Sequence, residues 1–233
     1  GNWIPDDREG LTICDATSAV FAMEVDYKKC DVITWSWQKV LGGEAAHGMV
    51  ALSPKAVKRL QNHKPSWPVP KVFRMASNKK LISGIFEGNT INTPSMLCVE
   101  DAIDSLNWVN EIGGLESLIQ KSNKSLKYIE EWVDKTNWVE FLSKDPKTRS
   151  NTSITFKIKE NWFKEKEEKL QRDIMKEITN LLIKESVAYD INGYPKAPAS
   201  FRIWGGGTVE PDDINKLLPW IDWAYNKVRS SYA

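Results

Sequence analysis

The chain has 233 residues, of which 41% are hydrophobic, and its 32 basic side chains nearly balance its 31 acidic ones. This length supports one large or two modest domains with real cores, and the balanced charge gives no electrostatic footprint for nucleic acid or an anionic membrane surface. No apolar run approaches the roughly 20 residues that span a bilayer, and the first residues lack the basic and apolar regions of a signal peptide. We therefore expect neither a nucleic-acid nor a membrane partner, and we expect a cytoplasmic location.

The three cysteines, Cys14, Cys30 and Cys98, are far apart in the sequence, and none has a CxxC spacing. An odd number of isolated cysteines does not fit a zinc site or a disulfide framework, so we expect no metal and a reducing compartment. The sequence contains no Walker motif, no dinucleotide glycine motif and no serine elbow. The chain also starts without methionine, in a stretch whose composition is typical of a loop, so we expect it to be the rear part of a longer protein.

The first predicted strand covers residues 11–14 and leads into Asp15, which small residues follow. An acid at the end of a strand is a common ligand-facing position in open α/β sheets. Asp before a small-residue turn is also a good helix N-cap. The spacing alone leaves both roles open.

A lysine follows the second predicted strand, an apolar and β-branched run at residues 31–37 that ends before Gly42 and Gly43. A third apolar run resumes at residues 49–52. Lys39 is therefore predicted to project from the rim of a sheet. Burial and neighbouring charge can lower the pKa of such a lysine, so that its neutral amine holds a carbonyl as a Schiff base. The alternative is an ordinary solvated surface lysine.

Two helices are predicted from their starting residues. Ser53 and Pro54 have the pattern of an N-cap and a first helical position, and residues 62–80 then form a proline-containing loop. Thr93 and Pro94 repeat the pattern before a longer helix. Backbone donors at that helix start, beside the Asn92 and Thr93 side chains, suit a phosphate, and a capped helix with no ligand is the alternative.

After the interruption at Gly113 and Gly114, helical spacing predicts an amphipathic helix through Val133. The later predicted elements are a strand at 154–158, a helix at 162–184, strands at 187–191 and 199–204, a flexible turn at 205–207, and a last helix that begins at Pro211. Pro219 is expected to kink or split that last helix. The mixture predicts a compact α+β unit.

Four motifs together resemble those of phosphoserine aminotransferases, which are pyridoxal-phosphate enzymes of the aspartate-aminotransferase fold group. The motifs are Cys14-Asp-Ala-Thr-Ser-Ala19, Thr34-Trp-Ser-Trp-Gln-Lys39, Gly42-Gly-Glu-Ala-Ala-His-Gly48 and Asn89-Thr-Ile-Asn-Thr-Pro94. The separation of Asp15 and Lys39, 39 − 15 = 24 residues, fits that family. The resemblance implies an α/β fold of type I. Residues 1–112 would be the rear of a mostly parallel large-domain sheet, and residues 113–233 a small α+β domain.

The resemblance also implies roles for individual residues. Lys39 would form a Schiff base with pyridoxal 5'-phosphate and shuttle a proton, and Asp15 would keep the pyridine nitrogen protonated. Gln38 corresponds to the family's cofactor-contacting residue beside the lysine. Asn92 and Thr93 correspond to the pair that reaches the cofactor phosphate of the neighbouring subunit, which implies a homodimer with shared active sites.

For the substrates, Arg202 stands where the family has its carboxylate-binding arginine, and a surface strand arginine is the alternative. The family's usual His-Arg pair for the substrate phosphate is replaced here by Tyr194-Pro-Lys-Ala197, which leaves Lys196 as a candidate substitute. His47 is a further candidate for a substrate group or for a structural hydrogen bond. The implied reaction converts 3-phosphohydroxypyruvate and glutamate to phosphoserine and 2-oxoglutarate, in serine and pyridoxine biosynthesis.

The family's N-terminal part has no counterpart in these residues. That part carries the glycine-rich turn for the cofactor phosphate, the aromatic residue that stacks on the ring, a threonine near the ring oxygen and a substrate arginine. We therefore expect this chain to be inactive alone. The alternatives are a lyase, a desulfurase or a different aminotransferase of the same fold group, and a truncated domain without catalytic activity.

Overall fold

A computed structural model describes residues 3–232, and these form two compact units. The first unit extends to Glu111 and the second begins at Ile112, except that the short segment Phe21–Met23 belongs to the second unit. The chain therefore leaves the first unit after Val20 and returns to it at Glu24.

The first unit is built on a three-stranded sheet with the strand order β1-β2-β3. The strands are β1 (Ile13–Asp15), β2 (Val32–Trp35) and β3 (Met49–Leu52). β1 and β2 are parallel, whereas β2 and β3 are antiparallel. The three described strands thus have one pairing of each kind, and the resemblance implied that they are the rear of a mostly parallel sheet.

The other elements of the first unit are α1 (Pro54–Asn62), the hairpin of β4 (Ala76–Ser77) and β5 (Lys80–Leu81), α2 (Met96–Glu111), and 3₁₀ turns at Tyr27–Lys29, Lys71–Phe73 and Ser83–Glu87. The predicted start of α1 is confirmed, because the Ser53 side chain accepts a hydrogen bond from Ala56 N and Pro54 occupies the first turn.

Two predictions for this unit are wrong. The stretch predicted as a loop contains the β4–β5 hairpin, whose turn residues Asn78 and Lys79 both have positive φ, the backbone that a tight hairpin turn requires. The second helix begins at Met96 and not after Thr93. Its first backbone bond runs from Val99 N to Ser95 O at 3.2 Å, so Ser95, itself a favourable capping type, precedes the first helical residue.

The second unit packs helices on an antiparallel sheet with the order β6-β7-β8. Its elements are α3 (Gly114–Lys135), β6 (Val139–Phe141), a 3₁₀ turn at Pro146–Thr148, β7 (Ser153–Ile158), α4 (Asn161–Lys164), α5 (Glu168–Lys184), β8 (Phe201–Trp204) and α6 (Pro211–Arg229). The predicted alternation in β7 is confirmed: Ile154, Phe156 and Ile158 are buried in the core, and the residues between them are partly exposed.

The sequence predicted one helix over residues 162–184, and the structure has two, α4 and α5. The break falls in a run of charged residues at 164–169. None of them is buried, so no packing holds this stretch in a helix. Residues 187–191, predicted as a strand, are irregular. Asp190 has positive φ, which a regular strand does not adopt, and an isolated bridge to Phe201 follows at Asn192.

Two further departures concern proline and glycine. Pro219 lies inside a continuous α6 and does not split it. It is exposed, as is Asn215, whose carbonyl loses the helical bond, so water can satisfy that carbonyl. The predicted flexible turn at 205–207 is instead a buried, close-packed segment. Across residues 3–232, no helix is long and apolar enough to cross a membrane.

Candidate active site

Asp15 and Lys39 follow the carboxyl ends of two neighbouring parallel strands. Asp15 is the last residue of β1 and lies opposite Thr34 of β2. β2 ends at Trp35, and Lys39 lies in the turn that follows. Because parallel strands end at the same edge of a sheet, the structure brings the acid and the amine to one edge. This is the edge where open α/β sheets bind ligands.

The Asp15 carboxylate is held by the turn that it begins. Asp15 Oδ1 accepts hydrogen bonds from Thr17 Oγ1 at 2.6 Å and from Thr17 N at 3.1 Å. These bonds, the side-chain one first, lower the pKa of Asp15 below its ordinary value. Residues 17–22 form turns and no α-helix, so Asp15 is not a helix N-cap. Thr17 was not singled out from the sequence, although Asp-x-Thr is a common turn pattern.

The turn that carries Lys39 is closed by backbone hydrogen bonds. Gly42 N donates to Lys39 O at 3.2 Å, and Gly43 N donates to Trp37 O at 3.1 Å. Gly42 has a φ of 69°, a left-handed conformation that suits glycine. Lys39 is half-buried, and Gln38 beside it is exposed. These hydrogen bonds therefore restrict the backbone conformation of the turn that carries Lys39.

His47 follows the same glycine turn and contacts Trp37 at its start. Its ring lies edge-on to the Trp37 ring, with centroids 5.5 Å apart and planes at 71°. Its Nε2 atom is buried and has no hydrogen-bond partner among the described atoms. Buried polar atoms are nearly always paired in folded proteins, so this nitrogen is available to a bound polar group.

Asn92 and Thr93 are exposed and lie in the irregular segment before α2. Since α2 begins only at Met96, neither residue is in its first turn, and the predicted phosphate site at a Thr93-capped helix start is wrong in that detail. Among residues 3–232, no group of three or more His, Cys, Asp and Glu side chains is arranged to hold a metal ion.

Arg202 and Lys196 belong to the second unit, whereas the other candidates belong to the first. The Arg202 guanidinium lies over the Tyr194 ring, 4.3 Å from its centroid, and forms an ion pair with Asp190 at 3.5 Å. Asp190 is exposed, and an ion pair of this kind contributes little, so a substrate carboxylate can replace it. Lys196 is exposed in a turn closed by Ala197 N and Tyr194 O.

A cleft of about 550 Å³ in the first unit lies elsewhere on the sheet. Ile13, Val32 and Leu52 line it together with residues of α1. Neither Asp15 nor Lys39 lines this cleft, so it is separate from the strand-end site.

Comparison with known proteins identifies the family. The family model described as "Aminotransferase class-V" matches residues 4–175. The chain belongs to the aminotransferase class-V family. This class-V chain is 53% identical over 229 residues to the phosphoserine aminotransferase of Methanosarcina barkeri, covering 98% of the chain and 59% of that relative. The resemblance to phosphoserine aminotransferases is thereby confirmed. The chain spans less than two thirds of the relative's length.

Solved structures of phosphoserine aminotransferases share the fold. The phosphoserine aminotransferase of Bacillus circulans superposes with a TM-score of 0.70 at 18% identity, over 96% of this chain and 55% of that one. The PLP-bound phosphoserine aminotransferase of Trichomonas vaginalis gives a TM-score of 0.70 at 16% identity, over 93% of this chain and 55% of that one. The predicted α/β fold is therefore confirmed as part of the fold of these aminotransferases.

Proposed function

We propose that this chain is part of a phosphoserine:2-oxoglutarate aminotransferase. The observation that carries the proposal is the 53% identity, along 98% of the chain, to a phosphoserine aminotransferase. The substrates are then 3-phosphohydroxypyruvate and glutamate, the products are phosphoserine and 2-oxoglutarate, and the pathway is serine and pyridoxine biosynthesis in the cytoplasm. The rear of a large domain and a small α+β domain correspond to residues 1–112 and 113–233.

The residues at the strand-end site fit pyridoxal 5'-phosphate. Asp15 offers a carboxylate whose lowered pKa keeps it ionised at neutral pH, as the partner of a protonated ring nitrogen must be. Lys39 offers an amine at the same sheet edge, and His47 Nε2 offers a buried polar atom without a partner. When bound, this cofactor supplies an electron-withdrawing ring that labilises the bonds to the α-carbon of an amino acid.

The work of the chain's own residues follows from their chemistry. Lys39 Nζ would hold the cofactor through its aldehyde and would move the proton at the substrate α-carbon. Asp15 would keep the ring nitrogen protonated, and Thr17 keeps Asp15 ionised and oriented. Gln38 would contact the cofactor beside the lysine.

Substrate recognition and assembly complete the proposal. Arg202 binds a substrate carboxylate through its planar fork, while Tyr194 supports the guanidinium from below. Lys196 and His47 are the candidates for the substrate phosphate. We infer a homodimer with shared sites, in which Asn92 and Thr93 reach the cofactor phosphate of the second subunit. Both residues are exposed, as that role requires.

The cysteines do not favour a desulfurase. Such an enzyme needs a reactive thiolate, and burial raises the pKa of the Cys30 thiol, with Cys14 beside it as the next cause. Cys98 is buried within α2. An aminotransferase needs none of these thiols.

Half-transamination of the full-length protein tests the proposal. The protein is loaded with pyridoxal phosphate, phosphoserine or glutamate is added in the absence of a keto acid, and absorbance is followed as the cofactor converts to its pyridoxamine form. We expect both amino acids to convert it, and serine, which lacks the phosphate, to convert it far more slowly. Conversion by neither phosphoserine nor glutamate would rule the proposal out.

A further inference from the structure

One face of α2 is mostly buried and carries the polar side chain of Ser105 among apolar ones. Cys98, Ala102, Ser105 and Val109 are spaced by four, three and four residues, so they share one face of the helix. Cys98, Ala102 and Val109 are buried, and Ser105 is half-buried among them. A hydroxyl on such a stripe needs a hydrogen-bond partner.

The partner of Ser105 lies outside the helix. Ser105 Oγ is 2.8 Å from Leu41 O and 2.8 Å from Asp101 O. A serine hydroxyl has a single proton to donate. The Asp101 carbonyl is four residues back in the same helix and accepts there a backbone bond from Ser105 N. The Leu41 carbonyl lies in a turn, outside any helix or strand, so it accepts no regular backbone bond there. We therefore assign the Ser105 hydroxyl proton to the Leu41 carbonyl.

This bond ends in the turn that carries Lys39. Val40 and Leu41 are buried, at 2% and 5% exposure, and follow the lysine directly. Gly42 N and Gly43 N close the turn internally on Lys39 O and Trp37 O. The bond from Ser105 to Leu41 O is therefore a tie between this closed turn and a helix 64 residues later in the chain.

We propose that Ser105 is a positioning residue for Lys39, which it holds in place through the Leu41 carbonyl. The inference rests on the proposed function, because it assigns Ser105 to the lysine that holds the cofactor. Covalent attachment and proton transfer both require Lys39 Nζ at a fixed place, and displacement by about 1 Å is enough to slow such a step severely. Without the hydrogen bond from Ser105 to Leu41 O, the turn samples more positions and Lys39 moves with it.

Amide hydrogen exchange tests the tie without any cofactor. In the full-length protein, Ser105→Ala should speed exchange of the Gly42 and Gly43 amides about tenfold, the factor expected when one net hydrogen bond is lost. Ser105→Thr keeps the hydroxyl and should restore protection. Ser122→Ala is the matched control, since the Ser122 hydroxyl is also buried on a helix but donates to Leu118 O of its own helix.

The cofactor provides the second readout. With Ser105→Ala we expect the dissociation constant for pyridoxal phosphate to rise about tenfold, and the midpoint of the pH titration of the bound cofactor's absorbance to shift, because the surroundings of Lys39 Nζ have changed. Ser105→Thr and Ser122→Ala should leave both values as in the wild type. If Ser105→Ala does not fold, Ser105→Cys takes its place, because a thiol keeps the volume and is a weak donor.

The exchange, affinity and titration results together support or overturn the positioning role of Ser105. Unchanged exchange at Gly42 and Gly43 overturns the tie, and faster exchange with unchanged affinity and unchanged midpoint overturns the positioning of Lys39. Faster exchange, weaker affinity and a shifted midpoint, with rescue by Ser105→Thr, support the proposal. If Lys39→Ala retains the cofactor absorbance, the proposed function itself fails, whereas the exchange result on the tie still stands.

Discussion

Asp15 lies opposite Thr34 in the parallel pairing of β1 and β2, and Ala16 N donates to Thr34 O at 2.8 Å just beyond it. A shift of this register by one residue would turn Asp15 to the other face of the sheet. Lys39 comes five residues after Thr34, in a turn closed by its own backbone. Strand pairing and a closed turn therefore fix where the carboxylate and the amine stand at the sheet edge.

The hydrogen bond from Thr17 should be visible in the titration of Asp15. We expect Thr17→Val to raise the pKa of Asp15 toward its ordinary value of 3.8, because the Thr17 hydroxyl is the largest cause that lowers it. A lowered folded-state pKa stabilises the fold above pH 3.8, and this stabilisation is lost as the pH falls through the folded-state value. Carbon NMR of the Asp15 carboxyl group measures the pKa directly.

The same variant has a matched control in Thr208→Val, since the Thr208 hydroxyl accepts from Trp204 Nε1 and contacts no carboxylate. The stability difference between Thr17→Val and the wild type should be present at pH 7 and shrink in acid. The difference for Thr208→Val should not follow the Asp15 titration. If the stability difference between Thr17→Val and the wild type stayed constant from neutral to strongly acidic pH, the Thr17 hydrogen bond would not be what lowers the pKa of Asp15.

Tyr225 and Glu160 form a second titratable pair, in the second unit. Burial raises the pKa of Glu160, but the hydrogen bonds that Tyr225 and Trp162 donate to it, together with the charge of Arg229, outweigh burial and hold the pKa below 4.5. We expect Tyr225→Phe to lose about 1–2 kcal/mol at neutral pH, because the stacking on Trp138 remains while one bond to a charged group is removed. Urea denaturation followed by tryptophan fluorescence measures this loss.

The loss should also depend on pH in a defined direction. Because the folded-state pKa of Glu160 is lowered, the bond stabilises the fold above pH 4.5, and the gap between Tyr225→Phe and the wild type narrows as the pH falls. Tyr232→Phe is the control, since Tyr232 donates to Glu177 at 2.6 Å in a solvent-exposed hydrogen bond, whose removal should give a smaller loss. If Tyr225→Phe and Tyr232→Phe lost equal amounts of stability, burial would not be what makes the Tyr225 hydrogen bond the stronger one.

Gly205 should not tolerate a side chain. A Cβ atom there would lie 2.8 Å from the backbone oxygen of Asn151 and 2.8 Å from Ile154 Cδ1, so the backbone would have to shift. We expect Gly205→Ala to destabilise the protein by about 1–3 kcal/mol in urea denaturation. Gly10→Ala, where nothing lies within 4 Å, is the control and should change the midpoint little. A midpoint for Gly205→Ala equal to that of Gly10→Ala would show that the segment is as loose as its composition suggests.

The strands and helices that the sequence predicted correctly are those with a strong local pattern. β7 alternates apolar and polar residues over six positions, and α1 begins with a serine cap and a proline. β6 has only three residues, too few to establish a period, and was missed. A run of glycines such as 205–207 predicts a flexible turn, but the sequence does not show whether the glycines provide backbone freedom or room for neighbouring atoms.

For the site, the sequence placed Asp15 and Lys39 after apolar runs, and the parallel pairing that joins those runs became visible only in the structure. Ser105 gave no signal, because its acceptor is 64 residues away and is a backbone carbonyl with no residue type to mark it. Hydroxyl partners of this kind depend on tertiary contacts, which periodicity and spacing do not encode.

The most direct test of the central claim is the absorbance spectrum of the full-length protein with pyridoxal phosphate, compared with its Lys39→Ala and Lys64→Ala variants. Lys64 is an exposed lysine in the loop after α1 and serves as the control. We predict that the band of the lysine-bound cofactor is lost in Lys39→Ala and unchanged in Lys64→Ala. If Lys39→Ala retains that band, Lys39 is an ordinary lysine after a strand, and the assignment of the active site to this sheet edge is contradicted.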